Sequence, residues 1–276
     1  ADARTYQSVV SGAMNGRRNR KERFAMDAIG RYFGAVREVL DKVERTQAEA
    51  MEQAADWFAE AVKGGNCIFA FGCSHAGLLA LELYYRTGGL AVINPVRAPG
   101  LCLDIDPATM TSQLERMADY GRIIVDNQPM RAGDVFLIHS VSGRNAVTVD
   151  AALRAKEKGV RVIALTNVDY SRAQASRHAS GLRLCDAADL VIDNCGCVGD
   201  SAIEIEGVPE KVAPTSTAVG AAIVNAVMAR AVEKIAQSGM VPPIFMSANL
   251  DQGDEHNRKM LAEYQDRIFY MGHTRG

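Results

Sequence analysis

The sequence predicts an α/β protein: a three-layer α/β/α sandwich on a five-stranded, mainly parallel, flavodoxin-like sheet, with added N-terminal helices. Three observations predict it. Five apolar runs of strand length show no period-two alternation, which reads as burial on both faces. Those runs alternate with helix-patterned segments, as in a parallel sheet covered on both sides. Two of the runs end in Ser/Gly turns that lead into helices.

The elements follow in order. Residues 1–23 lack periodicity and contain the basic cluster Arg17-Arg-Asn-Arg-Lys-Glu-Arg23. They read as a solvated N-terminal arm, ahead of a single domain over residues 24–276. No apolar stretch of signal-peptide type follows a basic start, so no signal peptide is expected. From residue 24 to 62 the pattern is helical. Ile29, Phe33, Val36, Leu40 and Val43 recur at steps of three and four, and Ala50, Ala54, Trp57, Phe58 and Ala61 continue the stripe. Gly64-Gly65 then stops it. One long or two shorter helices with so broad an apolar face must cover the sheet or another subunit. A homodimer or higher homo-oligomer is expected, with pockets near the interface.

Strands are expected at 66–71, 89–94, 134–139, 160–166 and 189–193. Helices are expected at 76–87, 111–120, 146–158, 216–238 and 255–268. Residues 196–215 form the longest loop-like stretch, with an edge-strand candidate at 202–206.

Composition narrows the function. Apolar content of 48% with 23% charged residues is that of an ordinary globular protein. A net charge of −2 argues against nucleic acid and membrane surfaces as partners. No run reaches the roughly 20 apolar residues of a membrane span. Six cysteines are few for 276 residues, so reduced thiols in a cytoplasmic protein are expected. Cys195-Gly-Cys197 lacks a second Cys/His pair at zinc spacing, so no metal is expected.

The two turns carry the chemistry. Gly72-Cys-Ser-His-Ala-Gly77 follows the first strand and Ser140-Val-Ser-Gly-Arg-Asn145 follows the third. In a 2-1-3-4-5 sheet the ligand crevice lies between those two strands. Serine hydroxyls, free backbone N–H groups and a helix dipole there attract an anion. N-capping alone would need one serine; Ser140, Ser142 and Gly143 together exceed it. Neither turn has G-x-G-x-x-G or G-K-[ST], so neither a dinucleotide nor a P-loop nucleotide is expected, and no cofactor is expected.

These turns, with Gly159-Val-Arg-Val-Ile-Ala-Leu-Thr166, Pro214-Thr-Ser-Thr217 and Gly253-Asp-Glu-His-Asn257, resemble a sugar isomerase (SIS) domain. The likeness spans about residues 24–270 and is to a branch related to phosphoheptose isomerase. The resemblance implies a phosphosugar pocket built from Ser74, Ser140 and Ser142, with Gly143 and Asn145 completing the turn. Members often carry Thr or Ser where this chain has Asn145. Thr215, Ser216 and Thr217 either cap the last long helix or touch sugar hydroxyls.

The resemblance also implies a sugar-phosphate aldose–ketose isomerase working through an enediol, which needs a base and an acid. SIS isomerases usually supply a Glu on the helix after the first strand and a His, often from a neighbouring subunit. Glu82 stands on that helix among Leu79, Ala80, Leu81, Leu83 and Tyr84, company that suits a proton-transferring base. Its bland alternative is an ion pair with Arg86 at i+4. His75 and His256 compete for the second role. His139 ranks below them, being equally readable as a buried structural residue. A lyase or etherase using the same pocket, and a non-catalytic phosphosugar sensor, are the other readings.

Overall fold

The computed structural model describes residues 27–272; the expected arm at 1–23 lies outside them. The helical stripe forms two helices, α1 (Ala28–Thr46) and α2 (Ala48–Lys63). Asp27 caps α1 by accepting from the Gly30 N–H at 2.8 Å. The break falls at Gln47. Its N–H closes α1 on the Val43 carbonyl, while its side-chain oxygen accepts from the Asp193 N–H at 3.0 Å. The kink thus ties the helical pair to the end of the last sheet strand.

The strands are β1 (Ile68–Gly72), β2 (Ile93–Pro95), β3 (Val135–His139), β4 (Arg161–Thr166) and β5 (Leu190–Asp193). Among the described residues they make one five-stranded sheet in the order β2-β1-β3-β4-β5, every pairing parallel. This is the expected flavodoxin-like order.

Side-chain alternation divides the strands between two cores. Ile68, Ala70, Val135, Leu137, Ile163, Leu165 and Ile192 pack with α2 and with α9 (Ser216–Gln237). Phe69, Phe71, Phe136, Ile138, Val162 and Ala164 face α5 (Tyr120–Asp126), α6 (Ala146–Glu157) and α8 (Leu184–Ala187). Burying a side chain such as Phe58 or Phe136 stabilises the fold by about 2–3 kcal/mol each. At the lower rim the buried Asp134 accepts from the N–H groups of Cys67 and Arg131, at 2.9 and 2.8 Å, pinning the starts of β1 and β3.

Several elements differ from expectation. The expected helix 76–87 is a 3₁₀ turn, Ser74–Gly77, followed by a six-residue α3 (Leu78–Leu83). Strand 89–94 is shortened to β2 because the preceding backbone pairs elsewhere. Gly88 and Ala91 donate to the carbonyls of Phe245 and Pro243. Helix 111–120 splits into α4 (Met110–Leu114) and α5. A further short helix, α7 (Val168–Arg172), follows β4.

The edge-strand candidate becomes β6 (Ser201–Ile203), which pairs antiparallel with β7 (Val212–Pro214) apart from the main sheet. The last expected helix ends early, as α10 (Gly253–Glu263). Beyond it the chain straps the β2 edge. Asn94 exchanges hydrogen bonds with the Arg267 carbonyl and the Phe269 N–H, and the Phe269 ring stacks on Phe69.

Candidate functional site

Gly72 of β1 lies beside His139 of β3 in the parallel register. Both serine turns therefore leave adjacent strands at the same rim, as the sheet order requires. In the first turn Ser74 takes a left-handed φ of 54°, and its N–H donates to the Leu101 carbonyl at 2.7 Å. Gly72 is obligatory there, since a Cβ would lie 2.5 Å from the Ala76 carbonyl. Ser74 opens onto a cavity of about 480 Å³ between this turn and the loop after β2. Leu78, Leu81, Tyr84, Arg97, Cys102 and Asp104 also line it.

In the second turn the Gly143 N–H donates to the Ser140 hydroxyl at 3.3 Å, and Gly143 is left-handed at φ 59°. A side chain at Gly143 would press on Thr166 and Ser171. Ser142 is half-buried. Asn145 stands at the N-cap of α6 without a side-chain cap bond. Its amide is engaged on both sides instead: it donates to Glu115 Oε2 at 2.6 Å and accepts from Arg177 Nη1 at 2.9 Å.

Cations gather at this turn. The Arg177 N–H donates to the Arg144 carbonyl. Burial, then the neighbouring charges of Arg144 and Arg116, hold the Arg177 guanidinium below its ordinary value. Arginines that disfavour one another's charge are stabilised by an anion between them. Glu115 is the carboxylate in this group, and burial raises its pKa, partly offset by the Asn145 hydrogen bond. It acts electrostatically on Cys73 in the first turn. Its carbonyl accepts from the Val147 N–H at 3.2 Å, which seats it against the first turn of α6.

The remaining expected residues are dispersed. Glu82 is absent from the lining of the Ser74 cavity. It pairs with Arg86 and accepts from Asn225 Nδ2 of α9 at 2.8 Å, so its setting is polar rather than apolar. His75 is exposed in the 3₁₀ turn. His256 hydrogen-bonds the Ile244 carbonyl at 2.9 Å, and Ile244 bridges Leu90 near the start of β2. That is the opposite rim from Ser74.

His139 is buried with Nδ1 on the Ala76 carbonyl at 3.0 Å. Burial lowers its pKa against the pull of that carbonyl. Ser216 gives its hydroxyl and N–H to Asp200, which also accepts from the Thr215 N–H. The N-terminus of α9 thus already holds an internal carboxylate. Thr215 is buried and Thr217 half-buried.

The sequence reading missed Glu115, Arg116 and Arg177. They lie outside both turns, Glu115 and Arg116 just after α4 and Arg177 after α7. Among the described residues no group of His, Cys, Asp and Glu is placed to hold a metal ion. No described helix is long and apolar enough to cross a membrane.

A parallel 2-1-3-4-5 sheet with paired serine turns at its switch point is the architecture of an SIS domain, and an SIS-domain family model matches residues 31–167. The chain belongs to the UPF0309 family. It is 44% identical to a UPF0309 protein of Shouchella clausii over 89% of this chain and 100% of that protein. A second relative, from Oceanobacillus iheyensis, is 45% identical over 87% of this chain and 98% of its own length. A solved phosphoheptose isomerase from Francisella tularensis shares the fold at 17% identity and a TM-score of 0.50. That match covers 76% of this chain and 98% of that one.

Proposed function

We propose that this protein binds a sugar phosphate at the two serine turns and interconverts its aldose and ketose forms through an enediol. The observation that supports this most is the meeting of Arg144 and Arg177 at the Ser140–Asn145 turn, beside a half-buried carboxylate. The arginines and the N-terminus of α6 suit a phosphate dianion. Ser74, Ser140 and Ser142 supply hydroxyls, and Gly143 lets the backbone approach. The internal carboxylate of Asp200 at α9 leaves the phosphate to this turn. The reaction moves a proton between adjacent carbons and another between their oxygens.

A carboxylate with a raised pKa, held at the second turn by Asn145, suits the carbon-to-carbon transfer. We assign that role to Glu115 in preference to Glu82, which is committed to Arg86 and Asn225. His75 is the acid candidate nearest the turns in the chain. His256 serves only if it comes from a second copy. Association through the α1–α2 face belongs to the same reading.

The test is incubation with aldose phosphates in deuterated water, followed by NMR. Deuterium entry beside the carbonyl, with formation of the ketose, supports isomerisation. Loss of exchange in Glu115→Gln with phosphate binding kept supports the assigned base. Release of a substituent without ketose formation identifies a lyase instead. Phosphate binding without exchange for any sugar overturns the enzymatic reading.

A further inference from the structure

We propose a second subsite, a buried hydroxyl-recognition chamber around Gly196 formed by His139, Asn167, Asn194 and Thr215, which receives the polyhydroxy end of the ligand. The inference rests on the phosphosugar reading above and adds the part of the ligand that reading leaves unassigned.

Four strand ends and helix starts converge here. His139 ends β3, Asn167 follows β4, Asn194 follows β5 and Thr215 precedes α9. His139, Asn167 and Asn194 share the parity of Leu137, Leu165 and Ile192, so all three side chains lie on the α9 face. Each of the four residues is at most 2% exposed. A Cβ on Gly196 would stand 3.3 Å from Asn167 Nδ2, 3.3 Å from Asn194 Oδ1 and 3.5 Å from Thr215 Oγ1. Polar atoms of Asn167, Asn194 and Thr215 therefore face the bare side of one glycine, and His139 ends the strand next to β4 on the same face.

His139, Asn167 and Asn194 each have one atom spent and one spare, and the single hydroxyl of Thr215 is spare. Asn167 Oδ1 accepts from the Tyr170 N–H and Asn194 Oδ1 from the Gly196 N–H. That orientation leaves both Nδ2 groups as donors. His139 Nδ1 meets a carbonyl and so carries its proton. In the neutral ring Nε2 is then an acceptor. His139 Nε2, Asn167 Nδ2, Asn194 Nδ2 and Thr215 Oγ1 are all buried without a hydrogen-bond partner among the described residues. Such atoms cost free energy unless something pairs with them.

The set chooses its ligand. Two amide donors, one imidazole acceptor and one hydroxyl match groups that both donate and accept, namely alcohols. They do not match a phosphate, which offers only acceptors to the imidazole lone pair and would lie near the Asp200 carboxylate at the same helix end. A ligand with its phosphate on the serine turns thus presents its hydroxyl-bearing carbons to the chamber. Entry requires the segment carrying Gly196 to shift, and Val198 in that segment is 54% exposed.

The experiment compares two variants that spare the spent atoms. Gly196→Ala fills the chamber, and Thr215→Val removes one spare hydroxyl at constant shape. The probes are erythrose 4-phosphate, ribose 5-phosphate, glucose 6-phosphate and sedoheptulose 7-phosphate, against glycerol 3-phosphate and inorganic phosphate, by titration calorimetry. In the wild type the tightest sugar phosphate binds at least tenfold better than glycerol 3-phosphate. Each variant reduces that preference about tenfold and leaves inorganic phosphate unchanged, as expected for lost hydroxyl pairing. A preference kept in both variants overturns the chamber and marks its polar atoms as structural water sites. Equal weakening of every phosphate, inorganic included, also overturns it. Absence of phosphate binding in the wild type overturns the phosphosugar reading itself.

Discussion

The Asn145 amide donates to Glu115 Oε2 at 2.6 Å, joining the N-cap of α6 to a carboxylate at the C-cap of α4. This one bond couples the anion turn to the group assigned to proton transfer. Asn145 Oδ1 accepts from Arg177 rather than from its own helix, and the missing cap bond costs about 1 kcal/mol. Glu115→Gln should keep the shape of the contact and lower turnover by at least about 100-fold. Binding of inorganic phosphate should stay within a few-fold. Steady-state kinetics with parallel calorimetry separates the two effects.

Stability should depend on pH through the same residue. Burial raises the folded-state pKa of Glu115 above its unfolded value. Its contribution to stability is therefore fully present below the unfolded pKa and is lost as pH rises through the folded value. Glu115→Gln removes that loss. Denaturant titrations should find the variant gaining on the wild type as pH goes from 4 to 7. An equal difference at both pH values would contradict the assignment.

Ser74 pays for its position with left-handed backbone. Ser74→Gly should relieve that conformation and raise stability by about 1 kcal/mol. The same change removes a hydroxyl from the cavity and should weaken sugar-phosphate binding. Thermal unfolding with and without glucose 6-phosphate tests both halves at once.

Gly121 sets the spacing of α5 on α6. A Cβ there would lie 2.1 Å from the Val147 carbonyl, and backbone has nowhere to give. Gly121→Ala should cost about 3 kcal/mol by forcing the helices apart. Because α6 begins at the anion turn, phosphate affinity should fall with it. Chemical denaturation measures the first effect.

Ile29 and Phe33 on α1 are 56% and 53% exposed, an apolar pair with the Arg37 guanidinium set over the Phe33 ring. Sedimentation velocity should find the wild type associated at micromolar concentration. Phe33→Asp should shift it toward monomer, since a charge cannot be buried there unpaired. A wild-type monomer would remove the expectation and, with it, any role for His256 across an interface.

The sheet was legible because its strands are buried on both faces and carry unbroken apolar runs. A flavodoxin-like order brings the two serine turns to one switch point, and the sheet has that order. What failed to show was long-range pairing. The start of the β2 run looks like strand, yet Gly88 to Ala91 bond to the chain beyond α9. Glu82 looks apolar from its neighbours in sequence, while Asn225, far along the chain, meets it in space. Glu115 carries no motif at all. The role proposed for it rests on Asn145 and Arg177, which only the fold assembles.

The strap over the sheet edge has a kinetic meaning. Arg267 donates to the Val62 carbonyl across a separation of 205 residues, and Asn94 to the Arg267 carbonyl across 173. An emerging chain can stack its helices long before those bonds exist. Until then β2 presents an open edge of the kind that recruits other strands. Contacts of such separation close slowly. The last protection against aggregation thus waits for residues 267–269, and truncation ahead of Arg267 should yield a chain that folds its centre yet clumps through its rim.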